Sequence, residues 1–509
     1  MQPGELYQYL QKKIKKEWIW CASAVLVLEL FAHGYRFTNN LPNWDALLNE
    51  YSSQDTTYLG RCFLSLACSI SSWYELPWLN GLLSLIYLQL IAILTCEIFK
   101  FRRRASFALA GGLIAVFPTV TSTFCYIYTA DGYFLGALLM TVAVWLLVNR
   151  RGKKAVIPAV LLICLGCGIY QAYITWTIVL ILLSGICRCL FEQEEIKEML
   201  RFWGRSLIAG AGGGALYYLV LTLILKIRGI RLDSYQGIAD AYDLSKINLL
   251  YSVKQCIRCF LGFLFGNGRI NGYVFFNVLL VLLIVFYTIR LAVKKRLYES
   301  PCRMFVVIGA GLLVPFGCFG MAFLMPGVDY HMLMCFGMCG VYLYPLKLYE
   351  LDSEKKKENA VRQWSILLLF SLIVYNFAVL ANVTYHTLEM SFEKSYGVIV
   401  RMADRIEQTD GWEDGRKLAV LGRLPETQEY FIDFPPNMTG TVSNLVIREN
   451  FNVRAMLEDY GDISAESISE QQEEEILQSR EYKAMPSWPQ KGSVSWISDI
   501  MVVKLGEED

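Results

Sequence analysis

Residues 43–61 read Asn43-Trp44-Asp45-Ala46-Leu47-Leu48-Asn49-Glu50-Tyr51-Ser52-Ser53-Gln54-Asp55-Thr56-Thr57-Tyr58-Leu59-Gly60-Arg61, a polar interlude in an oily N-terminal half. An apolar run from Trp18 to about Phe37 precedes it, and a second, from Leu76 to about Phe101, follows. Each can cross a bilayer core, which takes ~20 apolar residues in a helix. A tight connector needs only a handful of residues. This one is long enough for one or two short helices lying on the membrane surface. Asp45, Asp55 and Arg61, with Trp44, Tyr51, Tyr58, Trp73 and Tyr74 able to sit at headgroup level, suit a reaction site. The same residues also suit a solvated loop with interfacial anchors.

The rest of the composition agrees that the relevant solvent is lipid. Of 509 residues, 55% are hydrophobic and 18% charged, with a mean hydropathy of +0.38. A formal net charge of +1 gives no field that would draw nucleic acid. The first apolar run lacks a small-residue cleavage site and reads as a retained span. Most of the 15 cysteines lie in apolar runs. Cys164/Cys167 and Cys256/Cys259 have CxxC spacing, but no nearby histidine completes a zinc site with either pair. They read as small buried hydrophobes, and no metal site is expected.

Basic clusters set the topology. Lys12, Lys13, Lys15 and Lys16 place the N-terminus in the cytoplasm. Lys100 to Arg104, Arg150 to Lys154, Arg188 to Arg205, Lys294 to Arg296 and Lys355 to Arg362 then mark successive inner turns. Between them lie apolar runs from Ser106 to about Phe124, Tyr133 to Val148, and Ala155 to Phe191. The last is long enough for two short spans turning at Tyr170-Gln171-Ala172-Tyr173. Further runs cover Ser206–Ile227, Tyr273–Val293, Met304–Met325, Met332–Leu348 and Trp364–Ala381. The total is about eleven spans. A segment from Glu192 to Arg205 is expected on the inner surface, and an interfacial helix over Leu249–Phe265 in the outer segment Arg228–Gly272. Gly210, Gly212, Gly213 and Gly214 should allow close helix contact. The expected fold is an α-helical polytopic membrane domain, 1–382, with a small extracytoplasmic α/β domain, 383–509. In the latter, a helix over Tyr385–Ile406 precedes strands at Leu418–Leu421 and Asp499–Leu505.

By this parity the outer turns collect the chemistry: Asp45, Asp55, Arg61, Tyr126, Tyr128, Asp131, Tyr170, Gln171, Arg231, Arg269, Asp329 and His331. Basic residues on that face run against the positive-inside rule and suit a lipid phosphate. Asp131 begins an inward-going helix, where a carboxylate can serve as a cap or in catalysis. Glu29 and His33, four positions apart in the first span, can share a hydrogen bond or mark a functional site. Glycosyl transfer from a lipid-linked sugar phosphate needs a carboxylate to take the acceptor proton and cations to neutralise the departing phosphate. Asp45 or Asp131 can be that base. Arg61 with Arg231 or Arg269 can be the clamp, with no metal and no cofactor beyond the donor. A flippase, or a non-catalytic subunit of an envelope-glycan assembly, is the rival reading.

The order Asn43-Trp44-Asp45, Leu59-Gly60-Arg61, Phe124-Cys125-Tyr126, Ala130-Asp131 and Gly168-Ile169-Tyr170-Gln171-Ala172 resembles the type II bacterial membrane glucosyltransferases, which modify O-antigen and related surface polysaccharides. The C-terminal Ile497-Ser498-Asp499-Ile500-Met501-Val502-Val503-Lys504 is similar too. The resemblance implies a GT-C architecture, an undecaprenyl-phosphate-linked glucose or similar donor, and single-displacement, inverting transfer with the first-loop aspartate as base. It implies a surface-polysaccharide or teichoic-acid-like acceptor, and functional links to a donor synthase and a flippase. Many members have two adjacent acidic residues in the first loop. Trp44 precedes Asp45 here, so an assisting carboxylate is sought among later residues.

Overall fold

The computed structural model describes residues 13–506 except 193–194, 241–247, 267–272, 326, 353–359, 425–437 and 442–443, together with 2, 4, 5 and 8. Its chain contacts form two units. One comprises Met1–Asn39, Ser53–Asn382 and Pro435–Thr439; the other comprises Asn40–Ser52, Val383–Phe434 and Gly440–Asp509.

In an apolar solvent a backbone must satisfy its own hydrogen bonds, so the oily runs of the first unit are helical. They are α1 (Lys16–Thr38), α2 (Pro77–Ile98), α3 (Arg104–Ala115), α4 (Pro118–Phe124), α5 (Ile127–Asn149), α6 (Lys153–Ile169) and α7 (Ile174–Cys187). There follow α8 (Ile196–Arg228), α9 (Leu249–Phe265), α10 (Tyr273–Lys294), α11 (Pro301–Phe319), α12 (Gly337–Asp352) and α13 (Ala360–Glu407). Among the described residues eight helices are long and apolar enough to cross a membrane, or nine if the bent pair α3–α4 is one span. The protein is thus a multi-pass membrane protein. Helices α6, of 17 residues, and α12, of 16, fall short of a straight crossing.

Three elements depart from the expected boundaries, each for a local reason. Pro118 lacks an N–H and pushes Phe117 out of helical conformation, so α3 and α4 meet at 42°. The segment expected to lie on the surface before Arg205 instead forms the first turns of α8, which runs for 33 residues. No glycine or proline stands between Ile196 and Phe202 to stop it. Likewise α13 is one helix of 48 residues, where a span and a separate helix were expected. Past Ala381 the composition turns polar, but Asn382, Thr387, Ser391 and Ser395 each bond the carbonyl four residues back and let the helix continue. The change of composition there marks no change of secondary structure.

Helix α2 packs along α5 and α1, α5 along α6, and α6 along α8. Gly213 makes the last contact close, since a Cβ there would lie 2.6 Å from the Ile163 side chain. Gly212 faces Val160, whereas Gly210 and Gly214 have nothing within 4 Å. Only half of the glycine cluster is therefore a packing surface.

In the second unit β1 (Leu418–Leu421), β2 (Val494–Ile497) and β3 (Ile500–Lys504) form a sheet of order β1-β3-β2. β3 is parallel to β1, with Leu418 opposite Met501, and antiparallel to β2, with Ile497 opposite Ile500. Helices α14 (Asn450–Gly461), α15 (Glu470–Gln478) and α16 (Arg480–Ala484) complete the unit. Ala419, Leu421, Ile476, Tyr482, Ile497, Ile500 and Val502 close its core. Lys504 is buried there because its Nζ donates to the carbonyls of Tyr482 and Met485 and lies over the Tyr482 ring.

Candidate functional site

The loop after α1 owes its position to Gly60. A single turn, Thr57–Leu59, ends there in the left-handed region, at φ +76°. A Cβ at Gly60 would lie 2.4 Å from Gln171 Nε2 and 2.8 Å from Tyr217 Oη. Those two atoms hold the loop. Gln171 Nε2 donates to the Leu59 carbonyl at 3.0 Å and to Tyr217 Oη at 3.1 Å. Tyr217 Oη in turn donates to the Gly60 carbonyl at 2.9 Å. Phe63 N then bonds the Gly168 carbonyl at 2.8 Å. The loop is thereby docked on the turn between α6 and α7, and on α8.

This docking fixes Arg61 among tyrosines. Its Nη1 donates to Tyr133 Oη at 2.8 Å. Its Cζ lies 5.8 Å from the Tyr133 ring centre and 5.2 Å from that of Tyr170, within cation–π range. The two rings are themselves stacked, 4.6 Å apart at 20°. Tyr128 and Tyr235 complete the surroundings, and Tyr126 meets Tyr128 edge-on at 6.3 Å. No carboxylate pairs with Arg61 among the described residues, and its Nε is buried without a hydrogen bond. A guanidinium taken out of water without a counter-ion is costly. The arrangement favours an anion that none of the described residues supplies.

His331 stands in the same electrostatic neighbourhood. Burial, helped by the charge of Arg61 and opposed by Asp329, lowers its pKa to about 4. The ring is neutral at physiological pH, and its buried Nδ1 makes no hydrogen bond among the described residues. Asp329 is exposed.

Several expected partners lie elsewhere or are engaged. Asp55 accepts from Thr57 Oγ1 at 2.6 Å and pairs with Arg228 on the surface; these two contacts hold its pKa below the usual carboxylate range. Arg231 is exposed, and Arg269 lies outside the described residues. Asp131 is not a cap: Tyr126 occupies the N-cap of α5, and Asp131 sits inside the helix. At 1% exposure, its Oδ1 accepts from Asn80 Nδ2 of α2 at 2.9 Å. Asn80 Oδ1 meanwhile accepts from Leu76 N, so Asp131 ties the start of α2 to α5. A buried ion pair that the sequence did not announce, Arg36 Nη2 with Glu75 Oε1 at 2.9 Å, closes the same loop on α1. The expected Glu29–His33 bond is not formed. His33 Nε2 contacts the Ala115 carbonyl at 3.0 Å, and neither Glu29 oxygen has a hydrogen bond among the described residues.

Asp45 belongs to the second unit. Asn43 Oδ1 accepts from Asp45 N at 3.1 Å and Ala46 N at 2.9 Å, an Asx turn that starts the single turn Ala46–Leu48. Its side chain is exposed.

Of the residues singled out from the sequence, the fold brings Arg61, Tyr128, Tyr170, Gln171 and His331 into one neighbourhood. The sequence reading did not single out their neighbours Tyr133 and Tyr217, nor Asn80 beside Asp131. Tyr133 carries a signal in retrospect, as a polar-tipped residue just past Asp131; Tyr217 and Asn80 lie in apolar runs and carry none.

Neither a curated protein nor a solved structure matches the chain. A family model does: that of the glucosyl transferase GtrII family covers residues 34–342, more than half of the chain. The matched region runs from the end of α1 into α12 and includes the docked loop, the arginine–tyrosine cluster and His331. The chain therefore belongs to the GtrII family of glucosyl transferases.

Proposed function

We propose that this glucosyl transferase moves glucose, or a similar sugar, from a polyprenyl-phosphate carrier such as undecaprenyl phosphate to a surface polysaccharide or teichoic-acid-like polymer. It acts at the outer face of a bacterial cytoplasmic membrane, with its N-terminus inside, its C-terminal unit outside and a GT-C-like membrane domain. The observation that carries this reading is Arg61: a half-buried guanidinium, set against stacked tyrosines, with no carboxylate partner among the described residues. A phosphate that gains charge as the glycosidic bond breaks is the anion such a site stabilises, most strongly away from water.

In a single displacement, the acceptor hydroxyl attacks the anomeric carbon while the bond to the phosphate oxygen breaks. The bonding pair leaves on the phosphate, the configuration inverts, and a base removes the hydroxyl proton. Asp45 is assigned as that base, since its carboxylate is exposed whereas that of Asp131 is buried against Asn80. Arg231 and Arg269 are assigned as further cations of the clamp. Tyr126 and Tyr128 are assigned to the donor's surroundings.

Pure protein, a radiolabelled polyprenyl-phosphate glucose and a polysaccharide acceptor test the reading. Arg61→Gln should weaken donor binding, and Arg61→Lys should restore it in part, because an ammonium cannot bridge two phosphate oxygens. Asp45→Asn should keep donor binding and lose ~10²–10⁴-fold in rate. Unchanged donor affinity in Arg61→Gln removes the phosphate role. A wild-type rate in Asp45→Asn removes Asp45 as the base.

A further inference from the structure

The segment that carries Asp45 is held by α14. Asn452, at 1% exposure, donates its Nδ2 to the Trp44 carbonyl at 2.8 Å. Two turns on, along the same face of the helix, Tyr460 donates its hydroxyl to Glu50 Oε1 at 2.9 Å and accepts from Asn40 Nδ2 at 3.4 Å. These contacts bracket Asp45 on both sides. The first is the more telling, because the Trp44 carbonyl belongs to the peptide plane from which Asp45 departs. Fixing that plane, with Asp45 at φ −77°, sets the direction in which the Asp45 side chain leaves the backbone. Between the two contacts, Ala46 and Leu47 are buried, and their turn packs on α14.

The helix is itself anchored. Arg454 Nη1 and Nη2 bond the carbonyls of Leu418 and Ala465 at 3.1 and 2.9 Å, which tie α14 to the first strand and to the chain beyond the helix. Phe392 and Tyr396 of α13 meet the Tyr460 ring edge-on at 5.4 and 6.5 Å. Asn452 and Tyr460 therefore hand on the position of a packed core, where a short loop alone would sample many conformations.

We infer that α14 is the positioning element of the proton acceptor, with Asn452 and Tyr460 setting where the Asp45 carboxylate stands; this rests on Asp45 being the base. General-base transfer is sensitive to placement, and a shift of about 1 Å can cost ~10²-fold. Helix α14 then takes part in the reaction without itself contributing a group that touches substrate.

A double-mutant cycle on the full-length protein decides it. Asn452→Ala should lower kcat by about 10- to 100-fold and leave the donor KM unchanged. In the Asp45→Asn background the same change should bring no further loss, because positioning acts only through the group positioned. Tyr460→Phe keeps the ring packing and removes only the hydroxyl, and should show a smaller loss with the same background dependence. Equal losses in both backgrounds would make Asn452 a support of the fold and overturn the inference, as would wild-type kcat in both single variants. A wild-type rate for Asp45→Asn alone would instead remove the base assignment, whatever Asn452 does.

Discussion

Replacing Gly60 by alanine should release the loop that presents Arg61, by an amount that can be worked out. An alanine at φ +76° costs about 1–2 kcal/mol in the left-handed region. Its Cβ would also fall 2.4 Å from Gln171 Nε2 and 2.8 Å from Tyr217 Oη, so those side chains must give up bonds to the loop, each worth roughly 1 kcal/mol. The docked state then loses about 3 kcal/mol in all, or ~10²-fold in the opening equilibrium. The Phe63 amide, bonded to the Gly168 carbonyl at 2.8 Å, reports that opening directly. Hydrogen exchange at Phe63 should accelerate about 100-fold in Gly60→Ala, with a parallel loss of donor affinity. Gly229→Ala is the control: its φ is +67° but nothing lies within 4 Å of its Cβ. That change carries the backbone term alone and should leave Phe63 exchange as it was. Exchange in Gly60→Ala within threefold of wild type would refute the claim that Gln171 and Tyr217 hold the loop.

If Asp131 serves to tie α2 to α5, Asp131→Asn can still accept from Asn80 and should change stability by less than about 1 kcal/mol, measured by thermal unfolding in detergent. Asp131→Leu leaves the Asn80 donor unsatisfied and should cost roughly 1–3 kcal/mol. A normally stable Asp131→Asn protein with transfer reduced more than 100-fold would instead give Asp131 a chemical role. His331, with its pKa lowered to about 4 by burial and by Arg61, binds fewer protons in the folded state than in the unfolded one. Its contribution is complete above about pH 6.5 and is lost as pH falls towards 4, by up to about 3 kcal/mol. Unfolding measured across that range should show His331→Gln losing less stability than wild type, and identical pH profiles would contradict the burial argument. Asp55, held below its ordinary value by Thr57 and Arg228, loses its contribution only below that range and does not confuse the comparison.

What sequence reveals here follows the range of the interaction. A helix in lipid is dictated by consecutive residues, so runs such as Leu249–Phe265 and the turn at Tyr170–Tyr173 are legible to within a residue or two. Where boundaries shifted, a local rule outweighed composition: Pro118 bent a run that reads as one span, and serine, threonine and asparagine back-bonds carried α13 through a polar stretch. The hairpin partner of the last strand went unread because Val494-Ser495-Trp496-Ile497 is short and lies next to a glycine-bearing turn. β3 pairs with it through the tight Ser498-Asp499 turn, where Ser498 has a positive φ.

The site obeys the same logic at longer range. Arg61 is legible because the charge parity expected from sequence puts it on a face where the positive-inside rule expects few basic residues, and a departure from a rule is visible in one sequence. Its tyrosine surroundings are not, because Tyr133 is 72 positions away and tyrosine is ordinary near membrane surfaces. The bond from Asn452 to Trp44 spans 408 positions, which no periodicity encodes. Charge accounting narrows the roles further. Glu75 is committed to Arg36 and Asp55 to Arg228, and a carboxylate paired with a cation is a poor proton acceptor because that contact stabilises the ion it would have to give up. Arg61, with no acid beside it among the described residues, is the complementary case: a cation stabilised by tyrosine faces and one hydroxyl is held in place yet left with its charge to offer. An enzyme that expels a phosphate needs that combination, since an arginine already paired with a carboxylate would have to break the pair before it could stabilise the leaving group.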